Sequence, residues 1–146
     1  MQEVGVAHAA EPHISRAPSP WVRSCLLEDG MPQILVDYSA ELDFDREGFA
    51  KELHPVIAEV IDTEVAACKS VFRPAGEYVL GDGASGEVFV LVEIKILAGR
   101  SPEQRAELTR RTLALLERYV TVPLAYGVEV TELDRATYRF GHLAAR

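Results

Sequence analysis

Two segments of this chain, QILVDY at residues 33–38 and EVFVLVEIKIL at residues 87–97, read as strands, and each is followed by a helix and then a further strand. That repeated strand, helix, strand order limits the fold more than any other feature. LVDY before the first helix answers LVEI before the second, a weak internal duplication carried by element order. Crossovers of this kind are right-handed, so two such units make one sheet with both helices on one face. The class is α+β, and two architectures satisfy it: a ferredoxin-like module, or a fused pair of β-α-β units.

The helical signals are specific. Phe49, Leu53, Val56, Ile57, Val60 and Ile61 fall on one face at helical spacing, with Asp43 or Asp45 placed to cap the start. Pro55 inside that run predicts either a kink or a position in the first turns, because proline lacks an N–H and crowds the preceding turn. Ser101-Pro102-Glu103-Gln104 matches a capping box with proline at the first helical position, opening a helix to about Tyr119. Strands are expected at residues 68–73, ending before Pro74, and at residues 126–133. GDGASG at residues 81–86 precedes a strand rather than a helix, which indicates a hairpin turn and not a phosphate loop.

Residues 1–30 carry three prolines and no helical or strand period, so they are set apart as a disordered or non-native extension ahead of a domain at 31–146. Two arginines against four acidic groups there leave most of the overall −8 charge on the remainder. An acidic chain disfavours nucleic acid and anionic lipid as partners, and an anionic ligand would need a few local cations. No apolar run nears the ~18 residues of a membrane helix. Cys25 and Cys68 show neither metal-ligand nor redox spacing, Cys68 reads as a buried apolar residue, and a cytoplasmic setting is expected. His8, His13, His54 and His142 have no metal spacing either, and His54 suits a packed or intersubunit face.

MPQILVDYS from Met31, LHPVIAEV in the first helix, CKSVF, GDG, and VEIKILAGRSPEQR together resemble the 5-carboxymethyl-2-hydroxymuconate isomerase family of the tautomerase superfamily, over residues 31 to about 133. The resemblance implies a homotrimer of double β-α-β subunits, no cofactor, and a catalytic N-terminal proline exposed by removal of the initiator methionine. Here that proline is Pro32. A free N-terminal proline is a secondary amine that can act as a general base once its pKa is lowered. An internal proline cannot, because its nitrogen lone pair is delocalised into the preceding amide. Bonded to Met31, Pro32 is inert, and it is a base only if Met31 is the biological start and is then removed. Otherwise it is a strand-edge proline.

Arg100 stands beside the free N–H groups of the second helix, where a cation is unfavourable unless an anion binds. A solvated loop arginine is the competing reading, and the family pattern at AGRS favours function. Lys69 and Arg73 alternate along one strand face with Val71 between them. The family carries an arginine at the Lys69 position, so lysine keeps the charge and loses the bidentate fork. Lys69 and Arg73 both also read as exposed strand charges, and for Arg73 that reading is the stronger one. The activity these residues imply is a 1,3-proton transfer on a 2-hydroxymuconate-type diacid in aromatic acid catabolism, with Arg100, Lys69 and Arg73 as candidate carboxylate ligands. The alternatives are a dehalogenase-type hydrolase of the superfamily, a non-catalytic trimer with Pro32 masked, or a ferredoxin-like dimer. The ATYRFGHLAAR tail departs from the family pattern.

Overall fold

A computed structural model describes residues 32–141, 143 and 145. The extension at 1–30, Met31, Cys25, His8, His13 and His142 lie outside the described residues. The elements are β1 (Gln33–Ser39), α1 (Arg46–Ile61), a 3-10 turn (Val65–Ala67), β2 (Lys69–Ala75), β3 (Val88–Leu97), α2 (Pro102–Tyr119) and β4 (Leu124–Leu133).

The sheet order is β2-β1-β3-β4. β1 pairs parallel with β2, β3 pairs parallel with β4, and the two units join through an antiparallel β1–β3 pair. Two right-handed units running in opposite directions put α1 and α2 on the same face. The double β-α-β arrangement is therefore the one adopted.

The helices form where their caps are. Asp45 accepts the Gly48 N–H at 2.9 Å, and Ser101 and Gln104 complete both bonds of the capping box. Phe49, Leu53, Ile57 and Ile61 of α1 meet Leu108, Leu115 and Leu116 of α2 over Ile34 and Val36 of β1 and Val90, Val92, Ile94 and Ile96 of β3. Truncating one of the large members to alanine costs about 2–5 kcal/mol, because the lining cannot fully collapse.

Of the two places expected for Pro55, the interior of α1 is the one it takes. One strand boundary needed adjustment. β2 does not end before Pro74 but continues through it to Ala75. β2 is an edge strand, where a proline removes no ladder bond. The 81–86 stretch is a turn but not the expected hairpin, because β1 lies between β2 and β3 in the sheet; Gly81, Gly83 and Gly86 are at positive φ that favours glycine.

Both helices pack on one face, and among the described residues the second sheet face carries none. It carries Lys69, Val71 and Arg73 on β2, Gln33, Leu35 and Asp37 on β1, Leu91, Glu93 and Lys95 on β3, and Gly127, Glu129 and Thr131 on β4.

Candidate functional site

Pro32 sits at the head of β1 and is buried. Its carbonyl accepts the Lys69 N–H at 3.0 Å, the first rung of the parallel ladder, so the missing N–H of proline leaves nothing unpaired. The antiparallel pair sets Gln33 opposite Lys95. The end of β3, both linking loops and the start of α2 therefore gather at the Pro32 end of the sheet.

The C-terminus of α1 arrives at the same end, and its last carbonyls are satisfied from the second unit. Arg100 Nε and Nη2 donate to Ile61 O at 3.2 and 3.0 Å, and Gln104 Nε2 donates to Val60 O at 3.2 Å. A cation over a helix C-terminus is favoured by the dipole, so Arg100 is held there for a physical reason independent of any ligand. This places its fork on α1 instead of leaving it free at the mouth of α2.

The segment after β4 closes over this end. Ala98 N donates to Leu133 O at 3.0 Å, Arg135 Nε donates to Ala98 O at 2.8 Å, and Gln33 Nε2 donates to Tyr138 Oη at 3.1 Å. Arg105 pairs with Glu132 at 2.8 Å. Lys69, Lys95, Arg100, Arg105 and Arg135 thus share one end of a chain whose overall charge is negative.

Arg73 is apart from them. It lies four residues along β2 from Lys69, about 13 Å at strand rise. Its Nε and Nη2 each donate to Asp37 at 2.8 Å, a bidentate pair between facing residues of β1 and β2. Burial does not isolate that pair, since both side chains are two-fifths or more exposed.

A groove of about 340 Å³ lies on the open sheet face, lined by Asp37, Leu91, Glu93, Gly127 and Glu129 among others. Its three carboxylates would repel a dicarboxylate, which puts the cationic Pro32 end ahead of it as a site for anions.

Of the residues singled out from sequence, Pro32, Lys69 and Arg100 lie at one end of the sheet, Arg100 with its guanidinium on Ile61 O, and Arg73 lies farther along β2. Gln33, Lys95 and Tyr138 were missed. Lys95 was legible, because Glu93-Ile94-Lys95 alternates polar and apolar inside β3 and so puts Lys95 on the open face. Tyr138 had no local signal at all.

The family model for 5-carboxymethyl-2-hydroxymuconate isomerase matches residues 32–145. The chain belongs to that family. No curated protein matches the sequence. Among solved structures, this isomerase-family chain is similar to a 5-carboxymethyl-2-hydroxymuconate isomerase from Deinococcus radiodurans R1, with 23% identity and a TM-score of 0.62 over 79% of this chain and 92% of that one. It is also similar to a macrophage migration inhibitory factor-like protein from Entamoeba histolytica, with 21% identity and a TM-score of 0.58 over 77% and 96%. A fused 4-OT described as a symmetric trimer shares 16% identity and a TM-score of 0.58 over 70% and 85%. These likenesses establish the tautomerase fold.

Proposed function

We propose that this member of the isomerase family is a cofactor-independent tautomerase, with Pro32 as the N-terminal amine of the mature protein and a 2-hydroxymuconate-type unsaturated diacid as substrate. The observation that carries the reading is the position of Pro32, buried at the head of β1, its carbonyl accepting the Lys69 main-chain N–H, at the end of the sheet that also carries Lys69, Lys95 and Arg100. The family match begins at this same residue.

In the proposed reaction the neutral Pro32 nitrogen takes the enol O–H proton, and the oxygen electrons form the carbonyl. The adjacent double bond supplies the pair that takes the proton back from the prolinium onto carbon. No electrons are gained or lost overall. Lys69 holds one carboxylate, and Arg100 reaches the other with Nη1, the nitrogen not engaged on Ile61. Their positive charge stabilises the dienolate as it forms. Arg73 contributes only by releasing Asp37. The working assembly is a homotrimer in a cytoplasmic setting of aromatic acid catabolism.

Intact mass and N-terminal sequence of the protein from its native host test the first requirement: a chain beginning at Pro32 supports the reading, and one that retains Met31 removes the base. In the protein beginning at residue 32, Pro32→Ala should lower kcat/KM by about 10²- to 10⁴-fold on the enol diacid, the usual worth of a general base. Unchanged turnover would reject proton transfer by Pro32.

A further inference from the structure

Resting on the isomerase reading, we infer that Lys95 and Tyr138 complete a carboxylate cradle with Lys69 around Gln33 and set the preference for a diacid over a monoacid. The strand register places Lys69, Gln33, Lys95 and Thr131 in one row across the sheet, next to Pro32 in the chain. Two strand spacings separate Lys69 from Lys95, about 10 Å between Cα atoms, with both on the open face. Lysine side chains are long and flexible, so the Lys95 ammonium at that spacing can reach the far carboxylate of a short diacid held by Lys69, the same carboxylate that Arg100 offers its Nη1.

The hydrogen-bond inventory supports this. Lys69 has no ion pair among the described residues and is exposed. Lys95 Nζ stands 3.8 Å from Glu93 Oε1, too long for a hydrogen bond, while Glu93 Oε2 accepts from Thr131 at 2.9 Å. Glu93 is thus held toward β4 and keeps only a long ion pair with Lys95, whose ammonium makes no hydrogen bond among the described residues. Tyr138 Oη accepts from Gln33, which leaves its own O–H with no acceptor among the described residues. Two lysines thus flank Gln33 in the register and one hydroxyl is bonded to it, each with donors to give. Arg100, by contrast, has two of its donors on Ile61 O.

The test combines turnover with binding. Lys95→Met, Lys95→Arg and Tyr138→Phe are made in the full chain and in the chain beginning at Pro32, with oligomeric state and melting temperature measured for each. KM and kcat are read on an enol diacid and on the matching enol monoacid, and binding of adipate, an unreactive diacid, is followed by NMR. Lys95→Met should raise KM for the diacid by about tenfold, the loss of one charged contact, with kcat and the monoacid KM within about threefold. Adipate should bind about tenfold more weakly to Lys95→Met and several-fold more weakly to Tyr138→Phe, with Lys95→Arg restoring most of the affinity. Equal effects on diacid and monoacid, or unchanged adipate binding in a folded Lys95→Met, overturns the inference. If the wild type turns over neither enol, the isomerase reading fails, while the adipate titration still decides the cradle.

Discussion

Arg100 and Ile61 are joined by a two-pronged contact, Nε and Nη2 of the arginine meeting one carbonyl oxygen at 3.2 and 3.0 Å. The contact ties the loop before α2 to the end of α1, and so binds the two β-α-β units at the Pro32 end. It gives Arg100 a structural duty beside the binding role proposed for it.

Arg100→Ala should therefore destabilise the fold by about 1–3 kcal/mol, the cost of removing a charge-assisted bond from a part-buried carbonyl. Urea unfolding measures this. An unchanged midpoint would show that Arg100 serves ligand binding alone. Arg100→Lys should recover part of the loss, since lysine keeps the charge over the helix end without the fork.

Cys68 lies buried at the start of β2, with its thiol near Glu64 O at 3.7 Å and His54 O at 3.9 Å. Burial pushes the thiol up to about 12, because the thiolate would lose its hydration. In folded protein at pH 8, a Cys25→Ser variant should resist alkylation by iodoacetamide and react once urea unfolds it. Prompt labelling of the native protein, read by mass, would contradict this burial.

His54 Nε2 lies 2.8 Å from Ser70 Oγ, linking α1 to the edge strand β2. Burial lowers the imidazole pKa below its ordinary 6.5. The unfolded chain then binds the proton more readily than the fold, so stability is full above pH 6.5 and falls as the pH drops from there through the lowered value. Comparing urea midpoints at pH 7.5 and 5.5 for wild type and His54→Gln should show a smaller acid loss in the variant. Parallel losses would assign the acid sensitivity to other groups.

Thr112 of α2 is fully buried, and its Oγ1 has no hydrogen-bond partner among the described residues. An unsatisfied buried hydroxyl costs about 1–3 kcal/mol, whereas valine fills the same volume with a methyl group. Thr112→Val should raise the urea midpoint. A lower midpoint would mean that the hydroxyl has a partner in solution.

Much of the fold was written locally. Ser101 and Gln104 announce α2 three residues apart, Asp45 announces α1, and the polar positions of EIK in β3 announce which face is open. Pro74 shows the limit of such reading. Proline normally ends a strand, but the edge position of β2 removes the reason, and being at the edge is a property of the sheet.

The sequence by itself determined the elements, their order and the chemical types available near Pro32, because caps and alternation act between residues two to four apart. Only the tertiary structure decided which partner each charged group takes. Arg100 meets Ile61, 39 positions away, Arg73 meets Asp37, 36 away, and Tyr138 reaches Gln33, 105 away. Those choices depend on how α1 and α2 pack and how the segment after β4 crosses the sheet end. No short-range pattern in the chain encodes such distances.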